Sequence, residues 1–515
     1  MIKIKPPFIV ATIIFVLMPI LSTSQNIILV TEDPFADALV GSPASVFSSS
    51  PILVTPNNFL DWRLIYALQQ VKPEKLFIIG GPVAVSEKIE EELKKYVSVE
   101  RIWGPTRFET AQKVALKFWT RGSETVVMSF GDSYADSLVA SSLASKLGVP
   151  LIYVRPLRSV ELDPHKISRR YKDGTVTLYD VTTGRELGKF SRDQVSERKN
   201  KIIVYSSRPL DHETRKTLLK LGVKRVILVG GPENAMEDAE TDLIKLGMRV
   251  ERYPPKSPFE TSEMLIRDYM SKKDMRIMVV DIDDKPLTGT ALSGELGMMV
   301  LLRENKLGSE DYKFLRDLNT RKICLFGVDK DAANLLKWYG YKVANIVGKD
   351  PIETSITTMS NQILLYESLS NLLMGSSNDV IKEYQELSKK INEIDRKIVS
   401  KRKELVKLEE TFENRGIDFT EYLENKNTIG DEIEILEASK KKLEEKRKEI
   451  LVNIENKMLN KLFREKIIDN ALYDLNKRGF LIFDVVISKD DIKGLLEANE
   501  SFYLKNLMER EVSSG

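Results

Sequence analysis

The chain has 515 residues, a length that favours three or four domains over a single core. Hydrophobic residues make up 42% and charged residues 30%, and 78 Lys and Arg stand against 76 Asp and Glu, so wholesale disorder is excluded and a net charge of +2 supplies no general field for a polyanion. One cysteine, Cys324, and two histidines, His165 and His212, exclude a disulfide framework and leave too few ligands for a zinc site, so neither a metal nor a cofactor is expected.

At the N-terminus, Lys3 and Lys5 precede an apolar run from Phe8 to Leu21 and then Ser22-Thr23-Ser24. This pattern predicts a signal peptide over residues 1–24, cut ahead of Gln25, with an uncleaved anchor as the alternative. No later segment reaches about 18 uncharged apolar residues, so the mature chain is expected to be exported without a membrane span.

Beyond it a unit repeats. Leu76-Phe77-Ile78-Ile79-Gly80-Gly81-Pro82 returns as Val226-Ile227-Leu228-Val229-Gly230-Gly231-Pro232, and weakly as Ile323 to Asp329. Some 27 residues after each Gly-Gly stand Arg107-Phe108-Glu109-Thr110 and Pro258-Phe259-Glu260-Thr261, with Pro351-Ile352-Glu353-Thr354 in a third copy. Phe35-Ala36-Asp37-Ala38-Leu39 leading to Pro51-Ile52-Leu53-Val54 is matched by Tyr134-Ala135-Asp136-Ser137-Leu138 leading to Pro150-Leu151-Ile152-Tyr153-Val154. Within a unit the pattern predicts a strand at Ile27 to Thr31, a helix at Ala36 to Phe47, a strand at Ile52 to Thr55 and a helix at Leu60 to Val71. A strand at Leu76 to Ile79, a helix at Ser86 to Tyr96 and a short strand ending near Trp103 complete it. Continuous apolar strands alternating with helices imply an α/β fold of small doubly wound parallel-sheet units.

These residues resemble the type-2 cell-wall-binding repeat of bacterial and archaeal surface proteins. The resemblance rests on Gly80-Gly81, Val85-Ser86, the run from Arg101 to Ala111, Asp37-Ala38-Leu39 and Pro51-Ile52-Leu53-Val54. The second copy has Pro258 where the family has Arg, and the third lacks the second Gly and the Asp. The resemblance implies three Rossmann-like modules about a pseudo-threefold axis, without catalysis, holding a protein to an anionic envelope polymer.

Each motif has two readings. Gly-Gly-Pro between strand and helix (Gly80, Gly81, Gly230, Gly231) is either an anion cradle at a helix N-terminus or a tight turn that lets helix pack on strand. Arg107 either captures a carboxylate or phosphate or pairs with Glu109 or another nearby acid; Thr110 accompanies it. Asp37 and Asp136 stand where helices begin, and dipole compensation outweighs a metal or acid–base role. Asp281-Ile282-Asp283-Asp284 resembles the Asp-x-Asp of haloacid-dehalogenase-type phosphatases, but the repeat explains it more simply. Cys324 reads as a buried inert thiol. An insertion at 157–200 reads as a polar β-hairpin, and no basic stripe is evident, so no nucleic-acid partner is expected.

In the last third, Leu387, Ile391, Ile394, Ile398, Leu405, Leu408 and Phe412 keep heptad spacing, as do Ile429, Ile433, Leu436, Leu443, Ile450 and Ile454. An antiparallel coiled-coil hairpin is expected, folded about residue 420 so that Lys401 meets Lys440 and Ile394 nears Arg447. Phe480 to Val486 reads as a strand and Asp490 to Met508 as a helix. The expected domains are the signal peptide at 1–24, modules at 25–124, 125–275 and 276–375, the hairpin at 376–460 and a small α+β segment at 461–515.

The expected function is that of an exported, non-enzymatic envelope protein. Its partner would be an anionic polymer, an S-layer glycan or a glycolipid, with a protein partner possible through the coiled coil. The alternatives are a structural scaffold with no ligand site and an envelope-active metal-dependent phosphatase or hydrolase. Low Gln and Cys beside abundant Lys and Glu resemble hyperthermophile composition.

Overall fold

Strands form where β-branched and other apolar residues run unbroken, because both faces of a parallel strand are covered by helices. The computed structural model describes residues 26–497 apart from 174, 192–193, 199–200, 254–256, 271–275, 282–286, 304–306, 321, 327–329, 347–349, 375–377, 414–415 and 478–486. Residues 1–25, with the expected signal, and 498–515 lie outside the described residues, as does the strand expected at Phe480 to Val486.

In sheet I, β1 (Ile27–Thr31), β2 (Ile52–Thr55), β3 (Lys75–Ile79) and β4 (Ser98–Ile102) are parallel in the order β2-β1-β3-β4. Helices α1 (Phe35–Ser48), α2 (Trp62–Val71) and α3 (Glu87–Leu93) connect them, and α4 (Arg107–Phe118) follows. Helix α2 starts later than Leu60 because the Asp61 carboxylate accepts the Arg63 N–H as N-cap. Sheet II begins with β5 (Thr125–Phe130), α5 (Tyr134–Leu147) and β6 (Leu151–Val154). An insertion then supplies β7 (Arg158–Leu162), β8 (Ile167–Lys172), β9 (Thr175–Asp180), β10 (Glu186–Ser191), β11 (Val195–Arg198) and β12 (Lys201–Ser207). Sheet II resumes with α6 (His212–Leu221), β13 (Arg225–Val229), α7 (Glu233–Lys245) and β14 (Arg249–Tyr253) and closes with α8 (Pro258–Tyr269). Its order, β6-β5-β13-β14, is that of sheet I.

Sheet III has β15 (Arg276–Asp281), β16 (Met299–Arg303), β17 (Lys322–Phe326) and β18 (Lys342–Ile346), again parallel and in the order β16-β15-β17-β18. Its helices are α9 (Gly289–Glu295), α10 (Ser309–Asp317), α11 (Lys330–Trp338) and α12 (Pro351–Met374). Then come α13 (Asn378–Glu413), α14 (Phe419–Arg464), α15 (Ile467–Lys477) and α16 (Lys489–Glu497).

The three sheets meet through their first helices. Helices α1, α5 and α9 pack on one another through small residues. Ser141 donates to the Leu39 carbonyl at 2.7 Å and lies 3.3 Å from Thr290 Oγ1, while Ser42 donates to the Leu287 carbonyl at 3.2 Å. A second set of contacts runs from each sheet to the next: α4 covers the edge strand β6, α8 covers β16 and α12 returns to β2. Each crossing carries an arginine between two acids. Arg155 bridges Glu109 of α4 and Asp211, the N-cap of α6, the latter at 2.7 Å. Arg303 bridges Glu263 of α8, at 2.5 Å, and Asp311. Arg63 bridges Asp61, at 3.0 Å, and Asp350 just ahead of α12, at 2.9 Å.

The insertion departs from the hairpin expected at 157–200. Its six strands form two antiparallel three-stranded sheets, β10-β9-β8 and β11-β12-β7. Ile167, Val176, Leu178, Ile202 and Val204 form a small core of its own. The polar alternation hid four of the strands, because each contributes only one or two residues to that core.

Helices α13 and α14 run in opposite directions. Lys426 pairs with Glu409 at 3.6 Å, Lys401 with Glu432 at 2.7 Å, Lys440 with Asp395 at 2.9 Å and Lys446 with Glu383 at 3.2 Å. The register corrects the sequence expectation: Lys401 and Lys440 do not meet but each faces an acid, and Arg447 lies 3.4 Å from Ser388 rather than near Ile394. The turn before α14 is centred a few residues earlier than residue 420, which shifts every pairing. Buried Arg402 docks this pair on sheet II, donating to the Leu221 carbonyl at 3.2 Å and to Glu437 at 3.0 Å. At the chain's far end, buried Asp491 of α16 joins Arg276 and Lys322 beneath sheet III.

The crossings predict acid sensitivity. Burial raises the Glu109 pKa, but hydrogen bonds from Thr106 and Arg155 outweigh it and hold the carboxyl below the usual range. Asp61 is held low by Arg63 in the same way. A carboxylate with a depressed folded pKa stabilises above its unfolded pKa and loses that contribution as pH falls through the folded value. Arg155→Ala should therefore cost about 2–3 kcal/mol at pH 7, measured by urea unfolding, and the deficit should shrink below about pH 4. A deficit independent of pH would show that Arg155 acts through packing alone.

Candidate functional site

The motif residues converge at the carboxyl ends of the strands of sheets I and II. Asp37 lies in the first turn of α1 as expected, yet it is only 5% exposed. Burial pushes its pKa up to about 6, and the charge of Arg107 pulls the other way. Asp136 repeats the arrangement in α5, 8% exposed, its own N–H donating to Ser133 Oγ at 3.3 Å. Burial raises its pKa too, opposed by hydrogen bonds from Ser133 and from the Gly231 N–H, which lies 3.1 Å from Oδ2.

That last contact bears on the two readings of Gly-Gly-Pro in sheet II. The N–H of Gly231 already holds an anion, the carboxylate of Asp136. Glycine is required because the carboxylate comes so close: a Cβ on Gly230 would lie 2.1 Å from Asp136 Oδ1, and φ is +64° there and +85° at Gly231. In sheet I, Gly80 has φ +126° and a Cβ would meet Asp37 Oδ2 at 2.9 Å, while Gly81 lies flat beneath the Trp103 ring. Gly80, Gly230 and Gly231 thus shape turns that fit over buried carboxylates, while Gly81 makes room for Trp103.

Thr110 also turns inward. It is 2% exposed, and its Oγ1 accepts the Gly104 N–H at 3.0 Å. A Cβ on Gly104 would come within 2.3 Å of Glu109 Cβ, so the spacing Gly104 to Thr110 closes the entrance of α4. Glu109 completes a capping box with Thr106 and reaches Arg155, so of the acids expected beside Arg107 it is Asp132, not Glu109, that lies against it.

Arg107 instead crosses to sheet II. Its Nη1 donates to the Gly131 carbonyl at 2.8 Å and lies 3.5 Å from Asp132, and the guanidinium stands 5.5 Å from the Phe35 ring centroid. Phe35 packs edge-on against Tyr134 at 5.1 Å. The Arg107 side chain is 31% exposed, so part of its donor fork faces solvent.

Four residues that the sequence reading passed over share this end of sheet I. Phe59 is 61% exposed, Trp62 70%, Val83 89% and Trp103 41%, and they follow β2, β3 and β4 in turn. Their loops touch: the Ser86 N–H donates to the Asn57 carbonyl at 3.1 Å, and the Asn57 side chain bonds the loop after β1. Only the count of apolar residues at strand ends, rather than any motif, marks them in sequence.

Other candidates are placed elsewhere. Asp281 ends β15, and 282–286, with the rest of the Asp-x-Asp cluster, lie outside the described residues. Cys324 is fully buried in β17 and its thiol is pushed up to about 12, which leaves it protonated at neutral pH. His165 sits in a 3-10 turn of the insertion and His212 begins α6. Among the described residues no cluster of His, Cys, Asp and Glu fits a metal ion, and no helix is long and apolar enough to cross a membrane.

A buried carboxyl with a raised folded pKa destabilises the protein above that pKa, and the penalty fades as pH falls toward the unfolded value. Asp37→Asn should therefore be about 2 kcal/mol more stable than the parent at pH 8, the gap narrowing from pH 6 to pH 4 in urea unfolding. A destabilised variant at pH 8 would mean that the ionised form is needed to hold the loop around Gly80.

Residues 11–90 and 101–184 match the family described as cell wall binding domain 2 (CWB2). The second match begins at Arg101 and includes α4, β5, α5 and β6, so the sequence unit is offset from the sheet and keeps α4 with the strand it covers. An uncharacterized protein of Pyrococcus horikoshii is 33% identical over 136 residues, 26% of this chain and 41% of that protein. The amidase enhancer of Bacillus subtilis is 36% identical over 129 residues, 25% of this chain and 17% of its own length. The chain thus matches less than half the length of either relative. Cwp8 from Clostridium difficile aligns over 66% of this chain and 47% of its own at 20% identity and a TM-score of 0.44. The likeness to the cell wall binding domain 2 family is carried by residues 11–90 and 101–184.

Proposed function

We propose that this is an exported, non-enzymatic protein of the cell envelope that binds an anionic wall polymer or surface glycan. Three modules, 25–124, 125–275 and 276–375, stand about a pseudo-threefold axis, with 376–460 as an antiparallel coiled-coil arm and 461–515 as a small α+β segment. The observation that carries this reading is the carboxyl-end face of sheet I within the CWB2 match, which holds Arg107, 31% exposed, and the exposed Phe59, Trp62, Val83 and Trp103. A guanidinium with unused donors suits a carboxylate or phosphate, and flat aromatic rings suit the apolar faces of sugar rings.

A scaffold without a ligand site is the second reading, favoured by one observation: the Gly230-Gly231 cradle is filled by Asp136. Binding of the purified chain to isolated envelope fractions separates the two. Arg107→Ala should weaken cosedimentation about tenfold and make the remainder less salt-sensitive, because an exposed charge-assisted contact is screened. Trp62→Ala should weaken it without changing the salt dependence. Thermal melts serve as control; a parent that does not cosediment would leave the scaffold reading standing, and variants that bind like a binding parent would move the site away from these residues.

A further inference from the structure

The insertion carries the net positive charge of the whole protein. Between 158 and 201 there are eleven Lys and Arg against seven Asp and Glu, which leaves 67 against 69 for the rest of the chain. The sequence hides this because the cations are scattered, but the strand register collects them.

In an antiparallel sheet, directly opposed residues share a face. Arg170 of β8 lies opposite Thr177 of β9, and Thr177 lies opposite Lys189 of β10. The next row places Lys172 opposite Thr175, and the row on the other side places Ser168, Tyr179 and Glu186 together. The opposite face holds Ile167, Val176 and Leu178 and turns to the small core. Arg170, Lys172 and Lys189 are therefore exposed together on the outward face, in no ion pair with a described residue, and Glu186 is the one acid facing them in these rows. The Arg170 guanidinium lies 5.4 Å from the Tyr179 ring centroid, which keeps it raised over the sheet.

We propose that this face binds an acidic polysaccharide, one whose carboxylate groups recur along the chain. The cations are spread over about 7 Å along β8 and about 10 Å across three strands, a span that one small anion cannot bridge and a polymer with repeated charges can. Thr177, between Arg170 and Lys189, offers a hydroxyl to sugar hydroxyls, while the Thr175 hydroxyl donates to the Lys172 carbonyl at 2.6 Å. Single-stranded nucleic acid fits less well, because it needs aromatic platforms for its bases and Tyr179 is already covered by Arg170. A membrane fits less well too, since this face presents no apolar side chain to insert. The insertion leaves sheet II at the carboxyl end of β6, the end at which Arg107 reaches Gly131. The two surfaces are separate sites, and the substitutions expected to weaken binding below lie in the insertion alone, so either proposal can fail alone.

The test measures binding of the full chain to polygalacturonate, with a neutral glucan, phosphatidylglycerol vesicles and single-stranded DNA as comparisons. The triple variant Arg170→Ser, Lys172→Ser, Lys189→Ser should lose at least about tenfold in affinity for polygalacturonate at low salt, with much of the salt dependence. The charge-matched variant Lys441→Ser, Lys442→Ser, Lys448→Ser, on the exposed face of α14, should leave that binding unchanged. Lys189→Glu alone, a single exposed change that preserves folding, should weaken binding and keep the parent's melting temperature. No binding of polygalacturonate by the parent, or equal binding by parent and variants, overturns the proposal. Tighter binding of the parent to vesicles or DNA than to polygalacturonate overturns the choice of ligand.

Discussion

Open strand edges are the constraint on which the fold turns. Each parallel sheet begins with a short edge strand, β2, β6 or β16, whose outer N–H and C=O groups would otherwise face water or another chain. The helix that ends the preceding unit covers that edge, and side chains supply the missing partners. Gln362 of α12 accepts the Ile52 N–H at 3.1 Å, Ser262 of α8 accepts the Leu302 N–H at 3.2 Å, and Ser142 accepts the Val300 N–H at 2.9 Å. Buried polar groups left unpaired would cost a few kcal/mol each, so these contacts oblige the three sheets to associate. Helix α12 returns to β2, so the first edge and the last helix satisfy one another across some 310 residues of chain.

The same economy explains the conserved-looking spacing inside a unit without invoking a ligand. Gln362 also donates to Glu295 at 2.5 Å, and Tyr366 reaches the same carboxylate at 2.8 Å, so a buried acid in α9 is held by the returning helix. Gly104, Thr110, Glu109 and Thr106 close the start of α4, and Gly80 and Gly230 make room for Asp37 and Asp136. What this network leaves over is the rim of exposed side chains at the strand ends.

Variation concentrates at one point of the unit, the connection from the edge strand to the second helix. Sheet I fills it with a short loop bearing Phe59 and Trp62, and sheet II with the six-stranded insertion. In both, the connection ends at an aspartate N-cap, Asp61 or Asp211, that joins the arginine crossing. Loops at the carboxyl ends of parallel strands tolerate such replacement because the scaffold beneath them is closed by other contacts.

The sequence by itself determined the α/β class, most strand positions in the repeats, the buried state of Cys324 and the pairing of two long helices, because these follow from local apolar period and from repetition. It also marked Asp37, Asp136, Arg107 and the glycines as special. Only the tertiary structure decided what they do: Asp136 answers Gly231, and Arg107 leaves its neighbour Glu109 for Gly131 on the next sheet. Lys401 faces Glu432 because a turn shifted by a few residues resets the whole register of α13 against α14. The cations of the insertion formed no pattern until β8, β9 and β10 were paired. Side-chain roles of this kind depend on partners 24 to 149 positions away in the chain, a separation over which spacing carries no geometric information.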